Sequence, residues 1–190
     1  MTLRKINAVI GLVTALLLID HAGFYTVWML SRGSIAKSAD NMPMILACLV
    51  LVHALLSIAI LVRDRRGAKI QTLESQTPKT QAPKTYPKQN IPTYIQRISG
   101  VLMLVLLGFH IAGKVTSFQP AILHAIIQPV FFAAALAHIS VSVSKSMITL
   151  GIGTAKIIKI IDIVMAVICG VILVAALIGF HLCFFKGVTA

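Results

Sequence analysis

Five apolar runs, each long enough to cross a lipid bilayer, dominate this chain of 190 residues. A membrane-spanning helix needs about 20 consecutive, mostly apolar residues, and segments 6–30, 42–61, 94–115, 121–143 and 157–185 meet that length. Composition agrees: 58% of the side chains are hydrophobic and 12% charged, whereas a soluble domain is nearer half and a quarter. In hydrocarbon each backbone polar group must be satisfied within its own segment, so runs of this length fold as helices. The expected fold is an all-α membrane protein, a bundle of five transmembrane helices forming a single membrane domain over residues 1–190. A long hydrophilic stretch, 63–92, separates the second span from the third and contains TPKTQAPKTYPK. That Pro/Lys/Thr run predicts a flexible, extended, basic loop. The remaining connections are shorter, which makes consecutive helices antiparallel.

Charge sets the orientation. The chain carries 17 Lys+Arg against 5 Asp+Glu. In a soluble protein such an excess suggests nucleic acid, but here the basic residues fall between apolar runs, and no nucleic-acid partner is expected. Arg4 and Lys5 precede the first span; Arg63, Arg65, Arg66, Lys69, Lys79, Lys84, Lys88 and Arg97 lie in or beside the long loop; Lys145, Lys156 and Lys159 flank the last connection. Those 13 fall on one side, and Arg32, Lys37, Lys114 and Lys186 on the other. The positive-inside rule then places the N-terminus in the cytoplasm and the C-terminus outside. The first apolar run lacks a small-residue cleavage site and is long enough to stay in the membrane. The expected location is a bacterial-type cytoplasmic membrane, with the chain multi-pass and in contact with lipid. Cys48, Cys169 and Cys183 all sit in apolar runs; the last two are roughly 21 Å apart along one helix, too far for a disulfide.

All six histidines fall in or at the ends of the spans. An imidazole in hydrocarbon is costly without a partner, so each is a functional candidate, the alternative being a hydrogen bond to a neighbouring helix. Their spacing is informative. The first helix runs G-LVTALLLID-H from Gly11 to His21, and the third runs G-VLMLVLLGF-H from Gly100 to His110. Both ascend from the same side, which puts both histidines roughly 21 Å deep, in the outer half of the membrane. On the descending helices His53 lies ten residues before Arg63 and His138 seven before Lys145, roughly 10–15 Å from the cytoplasmic surface. One histidine from each of four helices, at two levels, suits two bis-histidine haems stacked across the bilayer, because bundle cofactor sites are built from facing helices. Zinc fits less well, since structural zinc prefers four closely placed ligands. The absence of CxxCH excludes covalent c-type haem.

Helical periodicity aligns Asn7, Gly11, Thr14, Leu18, His21, Tyr25 and Trp28 on the first helix, and Ser99, Met103, Leu107, His110 and Lys114 on the third. Glycines near these faces leave room for a macrocycle, though glycine is also common at ordinary helix contacts in membranes. His124 and His181 sit near outer helix ends, where water and headgroups satisfy them; haem propionate or quinone contact is the alternative for His124. Asp20, beside His21, is the one acid deep in a span. Burying it costs several kcal/mol unless it pairs or protonates. It reads either as a proton relay at a quinone site or as a structural partner of Lys114 or of an imidazole.

The run YIQRISGVLMLVLLGFHIAGK from Tyr94, with its QR-x-SG unit ahead of an apolar stretch and a histidine, resembles the diheme cytochrome b membrane anchors of the succinate dehydrogenase/fumarate reductase family. HISVSVSKSMITLGI, from His138 to Ile152, and LRKINAVIGLVTALLLIDH, ending at His21, are similar to further parts of that pattern. The second helix matches by His53 alone. The resemblance implies axial ligation of two b haems by His21 with His110 and by His53 with His138, with Arg97 and Ser99 near quinone or a haem propionate. It also implies an iron–sulfur subunit and a flavoprotein subunit as partners, and a membrane quinone, menaquinone in diheme relatives, as the redox partner. The chain would carry electrons and would not itself act on a dicarboxylate. Its single glutamate, Glu74, lies in the hydrophilic loop, so an intramembrane glutamate of the kind some diheme relatives use for proton transfer is missing. Two other readings compete: a diheme anchor of another respiratory dehydrogenase, such as a hydrogenase or formate dehydrogenase, and a haem-free scaffold or transporter with histidines as helix glue.

Overall fold

The computed structural model describes residues 2–31, 42–74, 91–115 and 121–185; inside the helices, the side chains at 42, 68–74, 112–115, 121–125 and 183–185 fall outside that description. Five helices account for nearly all of it: α1 (Leu3–Leu30), α2 (Met42–Glu74), α3 (Ile91–Val115), α4 (Ala121–Leu150) and α5 (Ala155–Phe185). All five are long and apolar enough to cross a membrane, and no strand occurs among the described residues. The fold is the expected five-helix, all-α membrane bundle.

The starts of α1, α3 and α5 fall two or three residues earlier than expected, and two ends differ by more. The second helix runs on through Arg63 to Glu74, beyond the apolar span and into the expected loop, because RDRRGAKIQTLE is rich in strong helix formers that sustain the ladder in water. The Pro/Lys/Thr run at 77–88 lies outside the described residues. The fourth helix continues to Leu150 and stops where Gly151 takes a positive φ of 77°. There the Ile152 amide donates to the Met147 carbonyl at 2.9 Å and the Gly151 amide to the Ile148 carbonyl at 3.1 Å, a paired C-cap that glycine enters without steric cost. Gly153, at φ 89°, and Thr154, whose hydroxyl accepts from the Ile157 amide at 3.4 Å, turn the chain directly into α5.

Helix contacts are uneven. The helices α1 and α4 pack on each other; α2 packs on α1, α3 on α4, and α5 against both α1 and α4. Two apolar clusters follow. Leu46 and Val50 of α2, Met103 of α3, and Phe131, Ala134 and Ala135 of α4 form an interior cluster, flanked by Leu17 and Leu18 of α1 and Leu106 and Leu107 of α3. A second, of Ala15, Leu136, Ile139 and Cys169, seals α5 onto the α1–α4 pair. Elsewhere the helices expose large aliphatic side chains, as lipid-facing surfaces do.

Candidate functional site

The inner faces of α1 and α3 are those the helical period selects. On α1, Thr14 is buried and Asn7, Gly11, Leu18, His21, Tyr25 and Trp28 are half-buried; on α3, Ser99 and Met103 are buried and Leu107 and His110 half-buried. Leu17 and Leu18 precede His21 by one turn, as Leu106 and Leu107 precede His110. All four pack on the interior cluster, so both histidines stand on helix flanks turned towards the shared interior.

The descending helices meet this face at the glycines. His53 of α2 lies against Gly11: a Cβ there would stand 2.8 Å from His53 Cε1. His138 of α4 lies against Gly100 in the same manner, with 2.9 Å to its Cε1. Only a residue without a side chain admits an imidazole this close to the backbone. The glycines precede His21 and His110 by ten residues each, about 15 Å along a helix. The four histidines therefore occupy two levels, His53 and His138 at the level of the glycines and His21 and His110 above.

Hydrogen bonds set the imidazole protons. His138 Nδ1 meets the Gln96 backbone carbonyl at 2.9 Å. A carbonyl can only accept, so Nδ1 carries the proton and the lone pair is on Nε2. His110 Nδ1 meets Gln128 Oε1 at 2.7 Å, which has the same consequence, and its ring stacks on Phe131 at 4.8 Å. His21 contacts Tyr25, 5.0 Å between ring centroids. As His138 Nδ1 lies against the Gln96 backbone, His53 Nδ1 is buried against that of Asn7, there without a hydrogen bond of full geometry.

The remaining sequence candidates divide. Ser99 is buried, donates to the Ile95 carbonyl and sits 3.4 Å from His138 Nδ1. Arg97 is exposed, because its position turns it away from the Gln96 and Ser99 flank. Asp20 is also exposed; the expectation of an acid buried in the bundle is corrected, since adjacent helical residues point about 100° apart and His21 takes the inward direction. The side chains of Lys114 and His124 lie outside the described residues, and His181 is exposed.

Gln96, which opens the QR-x-SG unit, is a further site residue that this sequence pattern alone does not mark. Its carbonyl holds His138, its Nε2 donates to Ser142 Oγ at 3.1 Å, and its Oε1 accepts from Lys145 Nζ at 2.9 Å. Lys145 also donates to Thr93 at 3.1 Å. A polar residue four positions before a helix-face glycine was the available signal. Gln128, placed ten residues before His138 on α4, carried no comparable signal.

His138, its proton held on Nδ1 by the Gln96 carbonyl, keeps Nε2 as the atom that a haem iron would take. No group of three or more His, Cys, Asp or Glu that could hold a metal ion occurs among the described residues; a haem would ask for two imidazoles on facing helices. No protein family, no curated protein and no solved structure matches the chain.

Proposed function

We propose that this chain is the diheme cytochrome b membrane anchor of a succinate dehydrogenase/fumarate reductase complex, and that it carries electrons between an iron–sulfur subunit and a membrane quinone, menaquinone in such diheme anchors. The observation that carries this reading is the two-level arrangement, one histidine from each of α1 to α4, with His53 and His138 seated ten residues below His21 and His110. His21 with His110 would hold one b haem and His53 with His138 the other; bound there, the haems supply one-electron carriage.

The chain's own residues bind and orient. The Gln96 carbonyl and Gln128 Oε1 fix the protonated nitrogens of His138 and His110, which holds the ring orientation and raises ligand basicity. The interior cluster around Met103 and Phe131 keeps water from the space between the levels. Exposed Arg4, Lys5, Arg63, Arg65 and Arg66 gather at the end of the bundle where α1 begins and α2 leaves the apolar span. On the positive-inside reading that end is cytoplasmic, and there it would receive the iron–sulfur subunit.

The test is spectroscopic. The purified protein is expected to be pigmented and reducible by dithionite, with two low-spin b haems, and to co-purify with a flavoprotein and an iron–sulfur subunit. His21→Ala and His110→Ala should remove or convert the same haem, and His53→Ala and His138→Ala the other. A colourless protein, or four variants that each keep two intact low-spin haems, would defeat the proposal.

A further inference from the structure

We infer that the α1–α2 and α3–α4 hairpins are two copies of one structural unit, in which an amide–serine hydrogen bond and a glycine seat position the histidine of the descending helix. The unit reads amide–x3–Gly–x9–His on the ascending helix and His–x3–Ser on the descending one. In the first hairpin these are Asn7, Gly11, His21, His53 and Ser57; in the second, Gln96, Gly100, His110, His138 and Ser142.

The three-dimensional contacts repeat as the spacings do. Asn7 Nδ2 donates to Ser57 Oγ at 3.1 Å, and Gln96 Nε2 donates to Ser142 Oγ at 3.1 Å. One turn along, His53 lies on Gly11 and His138 on Gly100, with would-be Cβ distances to Cε1 of 2.8 and 2.9 Å. The interior cluster follows the same correspondence. Leu46 and Phe131 each stand seven residues before the descending histidine, and Val50 and Ala135 three before it; all four are buried in that cluster. Independent helix contacts would have no reason to agree in register at every one of these positions. Because α1 and α3 run in the same direction, the units form a parallel repeat, the kind related by an axis along the membrane normal.

The copies are not identical: Gln128, the partner of His110, stands ten residues before His138, where Pro43 stands before His53. Lys145, seven residues after His138, satisfies Gln96 Oε1, whereas Ile60 holds the corresponding place after His53 and Asn7 Oδ1 is buried without a partner among the described residues. The fifth helix packs on α1 and α4, one from each unit, so it belongs to neither repeat.

Each bond and seat has a physical purpose. An interhelical hydrogen bond in lipid sets the register between two helices that apolar packing alone leaves free to slide. The glycine then lets the imidazole lie against the backbone at that register. Packing of ring on glycine stands without any cofactor; the role of these residues in presenting a haem ligand rests on the proposed function.

The test is a pair of double-mutant cycles on the full chain in its complex, read by thermal unfolding. Gly11→Ala and Gly100→Ala should each lower the midpoint by about 2–4 °C or more while the facing histidine is present. In the His53→Ala and His138→Ala backgrounds, respectively, the same change should be neutral or stabilising, because alanine is the better helix former once the ring is gone. The crossed combination, Gly11→Ala with His138→Ala, should be additive. Ser57→Ala and Ser142→Ala, milder changes that keep the fold accessible, should alter the electron paramagnetic resonance signature of the haem assigned to His53 and His138 and leave the other unchanged, with Ser→Thr restoring it. A glycine penalty that persists without the facing ring, coupling in one hairpin only, or serine variants without a selective spectral change would overturn the inference. Coupling in both hairpins of a colourless protein would uphold the repeat and defeat the haem reading.

Discussion

Replacing Gln128 with leucine probes the His110 imidazole. His110 Nδ1 donates to Gln128 Oε1 at 2.7 Å, on a half-buried ring stacked against Phe131. Leucine keeps similar bulk and removes the acceptor, leaving a desolvated donor at a cost of about 1–3 kcal/mol. On the proposed function His110 holds a haem, and the expected loss in affinity for it is about 10–100-fold, the range found when the partner of a metal-binding histidine is removed. The potential moves as well. A hydrogen bond worth about 0.5–1.5 kcal/mol more in one oxidation state than in the other corresponds to about 20–60 mV for a one-electron couple. Losing the acceptor makes His110 a weaker donor to iron, favours the ferrous state and raises the midpoint. Gln128→Glu keeps an acceptor, adds charge, and should lower it. Redox titration of the α-band in the purified complex separates the two haems. If Gln128→Leu shifts neither midpoint, or both equally, Gln128 does not hold His110 as a haem ligand.

A reporter fused after Ala190 should be active outside the cytoplasm; activity confined to the cytoplasm would reverse the topology and the assignment of inner and outer levels. Leu136→Ala opens a void where α5 meets the α1–α4 pair, at a residue only 2% exposed. Because the unfolded reference also sits in lipid, the transfer part of the cost falls away, and a cavity term of about 24 cal/mol per Å3 over roughly 70 Å3 leaves a loss of about 1.5–2 kcal/mol, measurable by thermal unfolding in detergent. Asp20→Asn should leave the content and spectra of both haems intact, since the carboxylate is exposed beside an inward His21; loss of the outer haem would show that Asp20 supports the ligand after all. A fall in quinone-linked turnover with intact haems would make Asp20 a proton relay acting from the lipid-facing side.

The five spans and the faces of α1 and α3 were legible from residue order alone. Their causes are local: apolar length sets a span, and a period of 3.6 residues sets which side chains share a face. The two histidine levels were legible for the same reason, since depth in a straight helix is a count of residues. What residue order left open depended on the approach of one helix to another. Gln96 became a partner of His138 because α3 and α4 close to hydrogen-bonding distance there, and Gln128 a partner of His110 through the same pairing. The direction of Asp20 followed from the inward placement of its neighbour. Gly11 and Gly100 could serve as ordinary helix contacts or as seats for a ring, and only the juxtaposition with His53 and His138 decided between them. Interhelical register in lipid rests on a few polar bonds and close backbone approaches, weak individually and scattered along the chain. Their partners are separated by dozens of residues, so the fold has to bring them together before either member can be assigned a role.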